Sequence, residues 1–187
     1  MTRLLYPDGR IELERGTIES SVAAVGARLR LRQIPGEPGL AALLDAPVLD
    51  QTGQDSLLGA IDAHLDGWLP IEGQTGHDLV VFHENLPDLA ELRRKFLAFH
   101  SHVDNEVRYI VAGTGYFGFV ASDDSQFLLE VGAGDLLNVP RGSEHWFTLG
   151  ADSRLKSVRY FGSISQWTAL PSSRKINPAL LTLAGIE

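Results

Sequence analysis

Cysteine is absent from this chain, so disulfides and thiolate metal ligands are both excluded, and any metal site must use nitrogen and oxygen donors. Basic residues are in deficit, with 16 Lys and Arg against 24 Asp and Glu and a formal net charge of -8. No broad positive field is available to gather phosphates, which disfavours nucleic acid as a partner. A small anion remains a suitable ligand where arginines are focused locally. No apolar run approaches the roughly 20 residues that cross a bilayer, and Met1 to Asp8 lacks the apolar segment of a secretory signal. A cytoplasmic protein without membrane contact is expected. Long exposed apolar stripes and coiled-coil heptads are missing as well, so a monomer is expected.

What is present suits one globular core. Of 187 residues 44% are hydrophobic, and no repeat, linker or low-complexity run divides the chain. The expectation is a single domain over 1–187 with a barrel core at about 78–165. Leu4 to Tyr6 and Arg10 to Leu13 flank a Pro7-Asp8-Gly9 turn and read as a hairpin. Ile18, Val22, Val25 and Leu29 fall at helical spacing, which predicts a helix from Thr17 to Leu31 with Thr17 and Ser20 or Ser21 as caps. Leu29 to Ile34 also alternates as a strand would. Residues 40–70 are expected to hold helices, with Leu57, Ile61 and Leu65 as one stripe, and show no chemistry.

Asp78 to His83 reads as a strand, and Leu89, Leu92, Phe96 and Phe99 as the stripe of a helix that delivers the chain to His100. Beyond it the pattern switches to period two. Val107 to Val111, Tyr116 to Val120, Gln126 to Val131, Leu136 to Val139, His145 to Leu149 and Leu155 to Phe161 read as strands, with Gly113-Thr114-Gly115 among the turns. The tail, with Pro171 and Pro178, reads as loop plus one helical turn at Ala179 to Ala184. Short strands at regular intervals predict a mainly β fold, an antiparallel sandwich or jelly-roll barrel with accessory N-terminal helices.

The chemistry concentrates in His100-Ser101-His102-Val103-Asp104-Asn105-Glu106. On an unbroken strand His100, His102 and Glu106 share one face. His145 follows a Pro140-Arg141-Gly142 turn, where a neighbouring strand can bring it alongside. Three imidazoles and a carboxylate then form a candidate metal site for Fe, Ni, Zn, Mn or Co. A lone histidine is more often a surface or core residue, and His64, His77 and His83, outside both motifs, are read that way. Arg108 has the parity of the ligand run and points into the same barrel; it can hold an anion or form a structural ion pair.

The spacings H-x-H-x3-E-x6-G, from His100 to Gly113, and G-x5-P-x-G-x2-H, from Gly134 to His145, resemble the paired motifs of the cupin superfamily. Arg94 and Leu149 stand where that signature has glycine and asparagine, and neither position is a ligand. Further segments resemble the acireductone dioxygenase family more closely: Lys95-Phe96-Leu97, Asn105-Glu106-Val107-Arg108-Tyr109, Gly113-Thr114-Gly115-Tyr116-Phe117, His145-Trp146-Phe147, and Val158-Arg159-Tyr160-Phe161 with Trp167. Phe99 stands where that family usually carries an acidic residue.

The resemblance implies a cupin-type barrel holding one Fe(2+) or Ni(2+) on His100, His102, Glu106 and His145. It implies acireductone and O2 as partners, Arg108 as the catalytic cation, and Phe96, Arg108, Phe147 and Arg159 around the substrate. Phe96 also fits plain core packing, and Trp146 is expected to pack away from the metal. With iron the implied products are a 2-keto acid and formate; with nickel they are methylthiopropionate, formate and carbon monoxide. The other readings are a different cupin enzyme, such as an enediol dioxygenase or sugar isomerase, and a non-catalytic metal-stabilised binding cupin.

Overall fold

The computed structural model describes residues 1–65, 75–162 and 168–186. The N-terminal third contributes β1 (Arg3–Leu5), β2 (Ile11–Glu12), α1 (Arg15–Ala24), β3 (Arg28–Leu31), α2 (Leu40–Asp45) and α3 (Gln51–Leu65). There follow β4 (Gly76–Phe82), α4 (Leu89–Phe96), β5 (His100–Ser101), β6 (Glu106–Val120), β7 (Gln126–Gly132) and β8 (Asp135–Val139). The chain ends with β9 (His145–Leu149), β10 (Leu155–Phe161), β11 (Leu170–Pro171) and α5 (Pro178–Leu183). Trp167 lies outside the described residues.

β6 organises the rest because it belongs to two layers. Its first half joins the order β4-β10-β6-β8-β3, and its second half the order β11-β5-β9-β6-β7-β1-β2. Every strand pairing among the described residues is antiparallel. The result is the mainly β barrel that the alternation predicts, and β1 to β3 extend it beyond the 78–165 segment.

Alternation on these strands builds three apolar layers. Ile110, Leu137 and Val139 from one sheet meet Phe117, Leu129, Val131 and Phe147 from the other inside the barrel. Val107, Tyr109 and Val158 face outward and are covered by Leu40 of α2 and by Leu57 and Ile61 of α3. Leu5, Leu128 and Trp146, on the outer side of the other sheet, pack under Leu180 of α5 together with Phe99. A leucine fully buried in such a layer stabilises the fold by about 2–3 kcal/mol.

One expectation along β6 is corrected. The Gly113-Thr114-Gly115 turn does not form, and one strand runs through from Glu106 to Val120. What the glycines accommodate is a bulge. Ser157 pairs with Ile110 while Lys156 pairs with Ala112, leaving Val111 as one extra residue on β6. Inward positions are therefore even before the bulge (Glu106, Arg108, Ile110) and odd after it (Phe117, Phe119). Gly113 sits at φ 80°, where a Cβ would lie 2.0 Å from the Arg154 carbonyl oxygen.

The helices differ from their predicted bounds for local reasons. α1 starts earlier than Thr17, because the Glu14 carboxylate accepts hydrogen bonds from the Gly16 and Thr17 amides and serves as the cap in place of the threonine and serines. It stops at Ala24, and Gly26 at φ 81° turns the chain so that Leu29 joins β3 instead of the helix. α4 likewise ends at Phe96, which places Phe99 in the layer behind β9 and not on the helix stripe.

Candidate metal centre

Three chain segments meet at one end of the barrel. His100 on β5 and His145, the first residue of β9, are direct partners in an antiparallel pair, and Glu106 opens β6. The unbroken strand expected from His100 to Glu106 is not formed. β5 ends at Ser101, and His102 comes from a folded loop, so the common face arises from that loop and not from period two.

Hydrogen bonds hold the loop in place. The Gly142 amide donates to the His102 carbonyl at 2.9 Å, and the Arg141 amide donates to Asn105 Oδ1 at 3.0 Å. The Gly162 amide donates to Asp104 Oδ2 at 2.9 Å. The loop that carries His102 is thus tied to the Pro140-Arg141-Gly142 turn that leads to His145.

Each histidine is oriented through Nδ1. Those of His100, His102 and His145 lie 2.7, 3.4 and 3.0 Å from the carbonyl oxygens of Ala98, Thr168 and Ser143. A proton on Nδ1 leaves Nε2 with its lone pair directed inward. The ligand atoms of His100, His102, Glu106 and His145 all fall within 4.8 Å of one another, and all four residues are buried. Glu106 Oε2 lies 3.1 Å from His102 Nε2 and 2.8 Å from His145 Nε2. Ligands at right angles around a cation with bonds of about 2.1 Å stand about 3 Å apart. Lone pairs brought this close call for a shared cation, so the donor set fits a divalent metal.

The electrostatics point the same way. Burial pushes the His100 imidazole down to about 4, helped by the neighbouring His145, which favours the neutral form that binds metal. Burial alone would raise the Glu106 carboxyl. The Arg108 charge, with the His102 and His145 rings set close against the carboxylate, outweighs it and holds the group well below the usual carboxylate range.

The group opens onto a cavity of about 170 Å³ lined by Lys95, Phe96, His100, His102, Glu106, Arg108, Phe147, Arg159 and Ala169. Arg108 Nε donates to Glu106 Oε1 at 2.5 Å, and its guanidinium carbon stands 5.6 Å from the centre of the Phe147 ring. Phe96 meets Phe147 edge-on with ring centres 6.0 Å apart. Arg159 is paired through two nitrogens with the carboxylate of Asp78, its cross-strand neighbour on β4.

Residues 62–169 match the profile of the ARD/ARD' family. The chain belongs to this family. It is 33% identical over 177 residues to the acireductone dioxygenase of Trichodesmium erythraeum (strain IMS101), a match covering 95% of this chain and 98% of that protein. It is 43% identical over 125 residues to that of Leptospira interrogans serogroup Icterohaemorrhagiae serovar copenhageni, covering 67% of this chain and 70% of the relative. The solved structure of acireductone dioxygenase from Bacillus anthracis with cadmium ion in active center has a TM-score of 0.81, at 24% identity and covering 91% and 98% of the two chains. That likeness shows the cupin fold.

The four metal donors expected in this ARD-family chain come together, and Phe96, Arg108, Phe147 and Arg159 all line the same cavity. Trp146 lies on the opposite face of β9, as expected. His77 faces Asp62 at 2.9 Å and stacks on Tyr160, away from the centre. Sequence reasoning missed the carbonyl partners of the imidazoles, because backbone acceptors carry no residue signature. It also missed Asp78, though the alternation of β4 and β10 contained that pairing. Lys95 carries no signal of its own in the sequence beyond its place in the Lys95-Phe96-Leu97 segment.

Proposed function

We propose that the protein is a metal-dependent acireductone dioxygenase of methionine salvage, acting with O2 on 1,2-dihydroxy-3-keto-5-methylthiopentene. The products are 2-keto-4-methylthiobutanoate and formate with iron, and methylthiopropionate, formate and carbon monoxide with nickel. One observation carries this reading: of a buried set of three imidazoles and a carboxylate, His100, His102 and Glu106 line a single cavity with two arginines and two phenylalanine rings. The same reading takes the chain as a monomer of the cytoplasm with small-molecule partners; among the described residues no helix is long and apolar enough to cross a membrane.

His100, His102, Glu106 and His145 would hold one Fe(2+) or Ni(2+), both of which accept imidazole nitrogen and carboxylate oxygen. Such a metal supplies Lewis acidity and a template for an enediolate oxygen pair. The protein supplies the rest. Arg108, fixed against Glu106, offers a guanidinium to the negative charge of the substrate and to charge developing on its oxygens. Arg159 reaches the same wall already paired with Asp78 and adds a second cationic contact. Phe96 and Phe147 exclude water beside the anion and present aromatic surface to the methylthio tail.

The test is anaerobic mixing of acireductone with iron-loaded and nickel-loaded protein, followed by oxygen addition while O2 uptake and carbon monoxide are recorded. Uptake with both metals and carbon monoxide only with nickel is the expected result. No uptake above the metal-only background would overturn the reading.

A further inference from the structure

The cavity has a charge pattern of its own. Among the described residues three cations line it, and two already have carboxylates: Arg108 is paired with Glu106, and Arg159 with Asp78. The third is Lys95. Among the described residues its ammonium group makes no hydrogen bond or ion pair, and the side chain is exposed in the last turn of α4. This turn is basic throughout, with Arg93, Arg94 and Lys95 in succession. Such a run suits the negative end of a helix dipole wherever it occurs. The three residues nevertheless divide: Arg93 donates to Ser153 Oγ at 2.7 Å, Arg94 lies outside the cavity lining, and Lys95 forms part of it.

We propose that Lys95 is a substrate-binding residue, the cation that draws a small oxygen-rich anion of the enediolate or dicarboxylate class into the metal pocket and holds it there. The proposal rests on the functional reading above and deepens it. A guanidinium that already has a carboxylate neighbour gives up much of its attraction for a second anion, whereas an ammonium at the mouth of a cavity keeps its charge for the incoming ligand. The chain carries a net charge of -8, so an anion approaching it meets a repulsive mean field. A locally uncompensated cation beside the metal donors is the feature that reverses this at the entrance.

The test uses oxalate, a dianion with two adjacent oxygens that does not consume O2, titrated calorimetrically into nickel-loaded protein at low and moderate salt. Lys95→Gln is expected to weaken oxalate binding by about tenfold at low salt and to flatten the salt dependence. Lys95→Arg should stay within about threefold of wild type. Arg94→Gln removes the same charge from the same turn outside the cavity lining and should stay within about twofold at moderate salt, where a Debye length of about 8–10 Å screens charges that do not touch the ligand. Equal affinities for wild type and Lys95→Gln, or equal losses for Lys95→Gln and Arg94→Gln, overturn the proposal. Failure of nickel-loaded wild type to bind oxalate overturns both the pocket as an anion site and the role of Lys95. Normal oxalate binding that depends on Lys95, with no O2 uptake on acireductone, supports the residue's role and overturns the dioxygenase reading alone.

Discussion

His100 and His145 face each other directly across the β5–β9 pair, with ring centres 4.6 Å apart. Two motifs distant in sequence are therefore joined by strand register. A slip of one residue would bring Trp146 to the metal side and turn His145 outward. The donor set depends on the sheet as much as on its own side chains.

His102→Ala removes one donor of four and leaves the barrel strands untouched. Metal affinity is expected to fall by more than about 100-fold, since the loss of an indirect partner already costs 10- to 100-fold. Metal content after dialysis against a chelator, beside an unchanged far-ultraviolet circular dichroism spectrum, checks this.

Arg108→Ala should separate metal binding from turnover. The variant loses the partner of Glu106 Oε1 but none of the four donors. Metal is expected to stay bound while kcat drops by about 100-fold or more, the usual loss when a charge-stabilising donor is removed. Retention of wild-type turnover would exclude the arginine from the chemistry.

Asn105→Ala breaks the hydrogen bond from the Arg141 amide and loosens the tie between the two ligand-bearing segments. The affinity for nickel is expected to drop by about tenfold, and Asn105→Asp, which keeps an acceptor oxygen, should recover most of it. Competition with a chromogenic chelator measures both.

Gly113→Ala tests the bend in β6. The new methyl group would meet the Arg154 carbonyl at a positive φ, so a destabilisation of about 3 kcal/mol or more is expected in urea unfolding. Gly142→Ala provides the contrast, because its Cβ meets nothing within 4 Å at φ 79° and only the backbone preference of about 1 kcal/mol is lost.

Leu180→Ala removes a fully buried side chain of α5 from the layer behind Trp146. Stability should fall by about 2–4 kcal/mol. Because this layer lies on the outer side of the sheet, nickel affinity should remain close to wild type.

Much of this arrangement is legible in the residues. Period two places most of the strands, and the spacing of His100, His102, Glu106 and His145 marks the donors. The even parity of Glu106 and Arg108 correctly turns both toward one cavity. The same rule fails between His100 and Glu106, where a loop interrupts the strand, and again at Val111, where one inserted residue exchanges inside and outside. Neither event changes the local apolar pattern enough to be seen before the partner strands are known. The Glu14 cap was hidden for a related reason: glutamate is a less usual capping residue than the threonine and serines beside it. The orienting carbonyls of Ala98, Ser143 and Thr168 belong to backbone, which every residue possesses alike.

The dual membership of β6 has a consequence for how the centre opens. Backbone amides in the middle of this strand are hydrogen-bonded to neighbours in both layers, so their exchange with solvent deuterium requires cooperative unfolding of the whole barrel. Glu106 and His145 are anchored to that slow-exchanging spine. His100 and His102 belong instead to a fringe, held by the two-residue strands β5 and β11 and by the folded loop, where fraying needs few bonds to break. An ion held by the four donors would be released first at this histidine pair, with the carboxylate and the remaining imidazole still in place to recapture it.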